Sequence, residues 1–397
     1  MLPDIVNIAR LSTRTFPLAM LLSVSLALSS CSNLPENPDL NVSELQAVIE
    51  GDALMTSGLV ISYEPPAHAQ LELNDEMRVF LDHYVPKKAS TAAKLDALLY
   101  SLMHKGILGM DYDPAATRNA VDAFDHQSAN CLGFSILFVA MAREVGLRVV
   151  FNEVSVPPVW DFQGSQSFIL FKHMNSVVTL RGGVKKVVDI NMEQYQDHYR
   201  QRTLTDSQAM AHYYNNKGVE FLLENNLAMA FNHFRKALEV APESNFVWSS
   251  MGTLYRRAGL YREAELAYLQ GLSLDVHNTV ILNNLGYLYG AMGDVDLANR
   301  YKHKVLTARK NNPYYRYALA KKAFSRDDFT SALEDIQLAL TKEKKEHSFW
   351  YLAARISDRL DRDEKAKEYL QNAMGLVKDE DVLSHYRETQ TRWQASL

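Results

Sequence analysis

The sequence predicts an α+β domain built around a single thiol, followed by an all-α solenoid. Three observations carry that expectation. An apolar, helix-like run opens at Cys131, in SANCLGFSILFVAMAREVGL over 128–147. Three segments rich in β-branched and aromatic residues follow it, LRVVFNEV (147–154), SFILFKHMNSVVTL (167–180) and VKKVVDI (184–190). From about residue 211 alanine then recurs every 34 residues, at Ala230, Ala264, Ala298, Ala332 and Ala366. A chain of 397 residues has room for two or three domains, each burying its own core. With 42 basic against 47 acidic residues it lacks the basic face that nucleic acid would need.

Residues 1–30 differ in kind. Arg10 and Arg14 precede an apolar or small-residue run from Phe16 to Leu28. At about 13 residues that run is too short to span a bilayer comfortably and suits the core of a signal peptide. It ends in Leu28-Ser29-Ser30-Cys31, which resembles the bacterial lipobox. The resemblance implies a lipidated Cys31 after cleavage, and stable anchoring, since each buried methylene adds roughly 0.8 kcal/mol. With Ser32 after the cysteine, it implies the cell envelope, at the outer membrane facing the periplasm. The alternative is a non-lipidated signal peptide with a chance cysteine. Residues 31–72 then form a lipidated tether and N-terminal segment, beginning with the polar, proline-bearing SNLPENPDLNV (32–42). Once Cys31 is acylated, Cys131 is the one remaining thiol in an oxidising compartment, either deeply buried or kept for its reactivity.

The α+β domain is expected over 73–205. Asn74 and Ser90 are suited to cap helices near 75–84 and 91–105, and Thr117 one near 118–125. Asn130 is a good cap for the helix that starts at Cys131. Gly182-Gly183 marks a turn between the last two strands, hence an antiparallel hairpin. Three islands, NCLGFS (130–135), FKHMNSVV (171–178) and VVDIN (187–191), give residues 90–195 a resemblance to the transglutaminase-like superfamily of cysteine enzymes. That resemblance implies Cys131 as nucleophile at a helix start, His173 as base on a strand, and Asp189 on the next strand as the group orienting it. The chemistry of the residues agrees. A thiol of pKa about 8.5 is mostly protonated at neutral pH, and a helix N-terminus with a nearby imidazolium favours the thiolate. Strand geometry sets a condition. A two-residue Gly182-Gly183 loop pairs 173 with 192 and puts His173 and Asp189 on opposite faces. A three-residue loop over 181–183 pairs 173 with 191 and lets them meet.

Other candidates surround this constellation. His126 is a competing base. Gln127 is a tentative oxyanion donor, with the backbone N–H of Cys131 as the alternative. Trp160 either walls a substrate groove or packs under the sheet. Asp111-Tyr112-Asp113 hints at a calcium loop, but Ala116 stands where that loop has glycine. No pair has zinc spacing, so neither metal nor cofactor is expected.

In the first 34-residue unit Tyr214, Gly218, Phe221, Phe234, Ala237 and Pro242 fit the tetratricopeptide pattern. Trp248, Gly252, Tyr255, Tyr268 and Gly271 repeat it, as do Leu282, Gly286, Tyr289 and Gly293. The units at 313–346 and 347–380 keep Ala339 and Ala373 but lose the glycine. Five repeats over 211–380 are expected, with 381–397 as a solvating end helix. The resemblance implies a peptide groove along the first helices. Asn215, Arg256, Asn283, Tyr287, Tyr314, Tyr317, Lys321, Tyr351 and Arg355 fall at its positions, a set suited to an extended partner with some acidic character.

Two readings follow. One is an envelope lipoprotein whose Cys131 cleaves or transfers acyl groups at amide bonds, to water as a peptidase or amidase, or to an amine as a transamidase. The other is an inactive scaffold or assembly lipoprotein acting through its repeats.

Overall fold

The computed structural model describes residues 40–59, 65, 69–157, 172–191, 195–196 and 198–395. The expected signal peptide, Cys31, Trp160 and residues 167–171 of the second expected strand lie outside the described residues.

The described residues open with two short helices in what reads as tether. Helix α1 (Val42–Glu50) starts at Asn41, whose side chain accepts from Ser43 N at 3.0 Å. Gly51, at φ 82°, turns the chain into α2 (Asp52–Thr56), the left-handed conformation glycine adopts without strain. A single 3₁₀ turn at Ala69–Leu71 leads to α3 (Asp75–Tyr84) and α4 (Thr91–Met103). Asn74 and Ser90 cap them as the sequence predicts, accepting from Met77 N and Ala93 N.

Next come β1 (Asp111–Tyr112), α5 (Ala120–His126), β2 (Ser128–Ala129) and α6 (Cys131–Glu144). The expectation for α5 needs correcting. Asn119 caps it, accepting from Asp122 N at 2.8 Å, while the Thr117 hydroxyl accepts from Asn130 Nδ2 at 2.9 Å. Thr117 therefore braces the start of α6. Every residue of α6 from Leu132 to Ala142 is buried, which explains why its sequence is apolar on almost every side.

Strands β3 (Arg148–Ser155), β4 (Lys172–Thr179), β5 (Lys185–Val188) and β6 (Gln201–Leu204) form one antiparallel sheet in the order β5-β4-β3-β6. Strand β6 is absent from the sequence expectation. It is four residues long and its first three are exposed, so it carries little hydrophobic signature.

The remainder is helical. A capping box between Thr205 and Gln208 opens α7 (Asp206–Leu223). It pairs with α8 (Leu227–Val240), and the pattern continues with α9 (Asn245–Arg257) and α10 (Tyr261–Leu274), then α11 (Thr279–Met292) and α12 (Val295–Lys310). Helices α13 (Pro313–Phe324), α14 (Phe329–Lys342), α15 (His347–Arg359) and α16 (Asp363–Leu376) make two more pairs, and α17 (Glu380–Ala395) ends the row. None of the described helices is long and apolar enough to cross a membrane.

One hydrophobic core runs from Leu45 to Val305, joining the α+β domain to the first three helix pairs. A second begins at Ala320 and holds the last two pairs, and a third, around Leu370 and Tyr386, seats α17. Helix α1 belongs to the first core. Tyr255 Oη donates to the Val48 carbonyl at 2.6 Å, and Arg262 pairs with Glu44 at 3.1 Å. The start of the described chain is thus fastened to the second helix pair.

Candidate functional site

Cys131 opens α6 because the chain around it is held on two sides. Asn130 Oδ1 accepts from Gly133 N at 2.9 Å, closing the first turn. The backbone before the cysteine is tied to the 111–116 segment, with Asp113 N donating to Ala129 O at 3.0 Å and Asn130 N to Ala116 O at 2.9 Å. Gly133 is needed for that approach. A Cβ there would lie 3.1 Å from both the backbone N and O of Arg118 and 3.0 Å from Ala129 Cβ. Cys131 forms no disulfide, and the residue as a whole is half-buried.

The hairpin that carries the other two candidates has the three-residue loop. Leu180 N donates to Val184 O at 2.8 Å, leaving Arg181, Gly182 and Gly183 as the turn. Thr179 pairs with Lys185 and Ser176 with Val188, the register in which 173 faces 191. His173 and Asp189 therefore share a face, and His173 Nε2 is hydrogen-bonded to Asp189 Oδ2, with both side chains almost wholly buried. Cys131 hydrogen-bonds to the same imidazole. One functional atom from each of Cys131, His173 and Asp189 can be chosen so that all lie within 4.8 Å of one another.

Burial alone would hold His173 neutral. The hydrogen bonds to Asp189 and Cys131, together with their charges, outweigh it and raise its pKa from 6.5 to about 9. The imidazole is thus set to carry a proton at neutral pH. Such a Cys, His and carboxylate set also offers the donor types of a metal site. Nε2, however, is engaged with Asp189, an arrangement that serves proton transfer directly.

A polar network fixes Asp189. Its Oδ2 also accepts from Asn175 Nδ2 at 3.3 Å and its Oδ1 from Asn191 N at 3.0 Å. Asn175 Oδ1 in turn accepts from Asn152 Nδ2 at 2.8 Å, and that amide also reaches Gln201 Oε1 at 3.1 Å. Asn152 and Asn175 are buried on neighbouring strands. These amides were not foreseen, although the polar residues interrupting two otherwise apolar strands were the available sign. Tyr112 was also missed in this role. Although 39% exposed, it lies against Cys131 and the Asn191 side chain, and desolvation, followed by the nearby Cys131 charge, pushes its pKa up to about 12.

Gln127 is exposed, in a left-handed conformation at the end of α5, and its side chain joins none of the hydrogen bonds of this site. His126 turns back on its own helix, with Nδ1 2.8 Å from the Asp122 carbonyl.

The groove candidates spread along the first helix of each pair. Asn215, Arg256 and Asn283 are half-buried, and Arg256 hydrogen-bonds to Tyr268. Tyr287 is 57% exposed. Tyr314 and Tyr317 pack on Phe349, with ring centroids at 5.2 and 4.8 Å. Lys321 lies over the Tyr317 ring, and Arg355 over Phe324. Tyr351 stacks on Tyr386 of α17 at 4.1 Å and bonds through its hydroxyl to His385 and Thr389.

Residues 211–244 and 347–376 match the tetratricopeptide-repeat family model. The helical half is a tetratricopeptide-repeat array. An uncharacterized protein of Methanocaldococcus jannaschii is 33% identical over 69 residues, covering 17% of this chain and 80% of that protein, and the two belong to one family. Among solved structures the repeats resemble YrrB, described as a TPR protein with an unusual peptide-binding site. The identity is 20%, the coverage 45% of this chain and 92% of that one, and the TM-score 0.24. PilF of Pseudomonas aeruginosa is 20% identical, covering 47% and 83% of the two chains with a TM-score of 0.25.

Proposed function

We propose that the chain is an envelope lipoprotein whose Cys131, His173 and Asp189 act as a transglutaminase-like thiol site, and whose tetratricopeptide repeats hold a protein or peptide partner. The observation that carries the enzymatic reading is the joint contact of His173 with Asp189 and Cys131. In this reading Cys131 gives its proton to His173, and Asp189 holds the imidazolium in place. The sulfur attacks an amide carbonyl carbon, and a C–S bond forms as the carbonyl π pair moves to oxygen. When that pair returns, the C–N bond breaks, and His173 gives its proton to the departing amine. The resulting thioester passes its acyl group to water or to a second amine, with His173 taking the proton that the acceptor loses.

A scaffold reading also has support, because a repeat array is consistent with a protein-binding scaffold whether or not the thiol turns over. Alkylation separates the two. For the enzyme, iodoacetamide should modify Cys131 readily below about pH 8, and His173→Ala should move that reactivity to higher pH. Superimposable pH profiles for wild type, His173→Ala and Asp189→Asn would leave the scaffold reading. The anchor is tested separately. Lipidation at Cys31 predicts that the protein enters the detergent phase and that Cys31→Ser does not, whereas wild-type protein in the aqueous phase would refute it.

A further inference from the structure

We infer that Tyr112 is a fourth catalytic residue of this site, its phenolic O–H donating to the Cys131 sulfur, and that Asn191 positions it. The inference rests on the thiol reading above and adds a donor from a different part of the chain. Two features of the backbone put Tyr112 there. Strand β1 pairs in parallel with β2, Tyr112 opposite Ala129, so the tyrosine stands beside the residues that lead into Cys131. The ladder continues on both sides, with Asp111 N donating to Gln127 O at 2.9 Å and Asp113 N to Ala129 O at 3.0 Å. Strand alternation across such a fixed register leaves the tyrosine little freedom to move along the chain.

The polarity of the contacts is informative. The phenol lies against both Cys131 and the Asn191 side chain, the first raising its pKa and the second lowering it. Beside a thiolate the phenol is the group with a proton to donate, since the ionised sulfur has none. Asn191 is doubly placed, because its backbone N–H also donates to Asp189 Oδ1 at 3.0 Å. One residue therefore braces both the carboxylate behind His173 and the phenol beside Cys131.

The chemical consequence is a thiolate with two donors, the imidazolium from β4 and the phenol from β1. A phenol with its pKa pushed up to about 12 stays protonated, and so remains a donor, wherever the thiolate exists. Hydrogen bonds to an ionised group are the stronger kind. Tyr112 thus favours the ionised sulfur without itself taking or losing a proton.

The test is the iodoacetamide rate of the full-length protein as a function of pH, in wild type, Tyr112→Phe and Asn191→Ala. The titratable groups facing the sulfur are His173, Asp189 and Tyr112, and the first two are unchanged in these variants. Tyr112→Phe should slow alkylation about tenfold near pH 6, equivalent to about 1.4 kcal/mol. It should leave the rate at high pH unchanged or raised, because a sulfur freed of a hydrogen bond is the better nucleophile. Asn191→Ala should act in the same direction and less. A purely structural tyrosine would lower both limbs together, and that result overturns the inference. So does a Tyr112→Phe profile that superimposes on a wild type still reactive at low pH, which leaves the triad standing. A wild type unreactive at low pH would remove the triad reading and this one with it.

Discussion

His198 Nε2 faces Glu346 Oε2 at 3.5 Å, with both side chains nearly buried, although one follows the sheet hairpin and the other opens the fifth repeat. The separation exceeds a good hydrogen bond, and the ring nitrogen is buried beside the carboxylate. Two tyrosines belong to the same buried cluster. Burial, and then the Glu346 and Glu343 carboxylates, push Tyr199 up to about 12, and Tyr314 is raised by burial, Glu346 and Tyr199. His198 and Tyr199 are therefore seated against the fourth and fifth repeats. A double-mutant cycle of His198→Ala and Glu346→Gln in urea unfolding should give a coupling of about 1 kcal/mol. Additive losses would mean that the two segments touch without energetic linkage.

The His173 contacts make a pH prediction. Its pKa is 6.5 ordinarily and about 9 in the fold, so the folded state binds the proton more tightly. The stability this contributes is fully present below 6.5 and is lost as pH rises through about 9. A rise of that size corresponds to about 3 kcal/mol. Urea midpoints measured from pH 6 to about 9.5 should fall accordingly, and His173→Gln should flatten the fall. His233 and His347 have the opposite sign. Burial lowers both, so the fold holds them neutral and loses stability as pH drops below 6.5.

These features differ in how far the sequence announced them. The repeats were legible because a strict 34-residue period survives even where the glycine is lost, and the triad because three short motifs fell in order. The odd hairpin loop was posed as a condition, and Leu180 bonding to Val184 supplies it. Helix α1 was not legible. It has nine residues beside a proline-bearing polar run, and its partners Tyr255 and Arg262 lie in the second repeat. Tyr112 was hidden for a similar reason. A two-residue strand has no period, and its role comes from its pairing with Ser128-Ala129.

The glycines of the repeats are not equivalent. Gly218, Gly252 and Gly286 hold the same place in the tetratricopeptide pattern. In the fold a Cβ on Gly252 would lie 2.6 Å from the Tyr268 ring, and one on Gly218 2.5 Å from Phe234, whereas on Gly286 the nearest atom is 3.6 Å away. Gly252→Ala should therefore destabilise by about 1–3 kcal/mol through overpacking. Gly286→Ala should be neutral or stabilise by up to about 1 kcal/mol through helix propensity. Equal losses at the two sites in urea unfolding would contradict this geometry.

The groove residues separate in the same way into those committed to packing and those left open. Tyr317 stacks on Phe349 and is raised by burial, so Tyr317→Ala should cost about 3 kcal/mol or more in stability and cannot report on binding alone. Tyr351 is engaged by Tyr386, His385 and Thr389 of α17. Lys321 and Arg355 are different. Both are exposed, each lies over an aromatic ring, and neither forms a salt bridge among the described residues. Their charges therefore remain available to an acidic segment, at a face that already presents aromatic rings. The double variant Lys321→Glu with Arg355→Glu should change unfolding free energy by no more than about 1 kcal/mol, two surface changes of about 0.5 each. It should weaken capture of an acidic peptide at least tenfold at low salt, and the weakening should shrink as salt is raised. Unchanged capture at low salt would exclude these two cations from the partner surface and leave Tyr287, on the third repeat, as the residue to vary next.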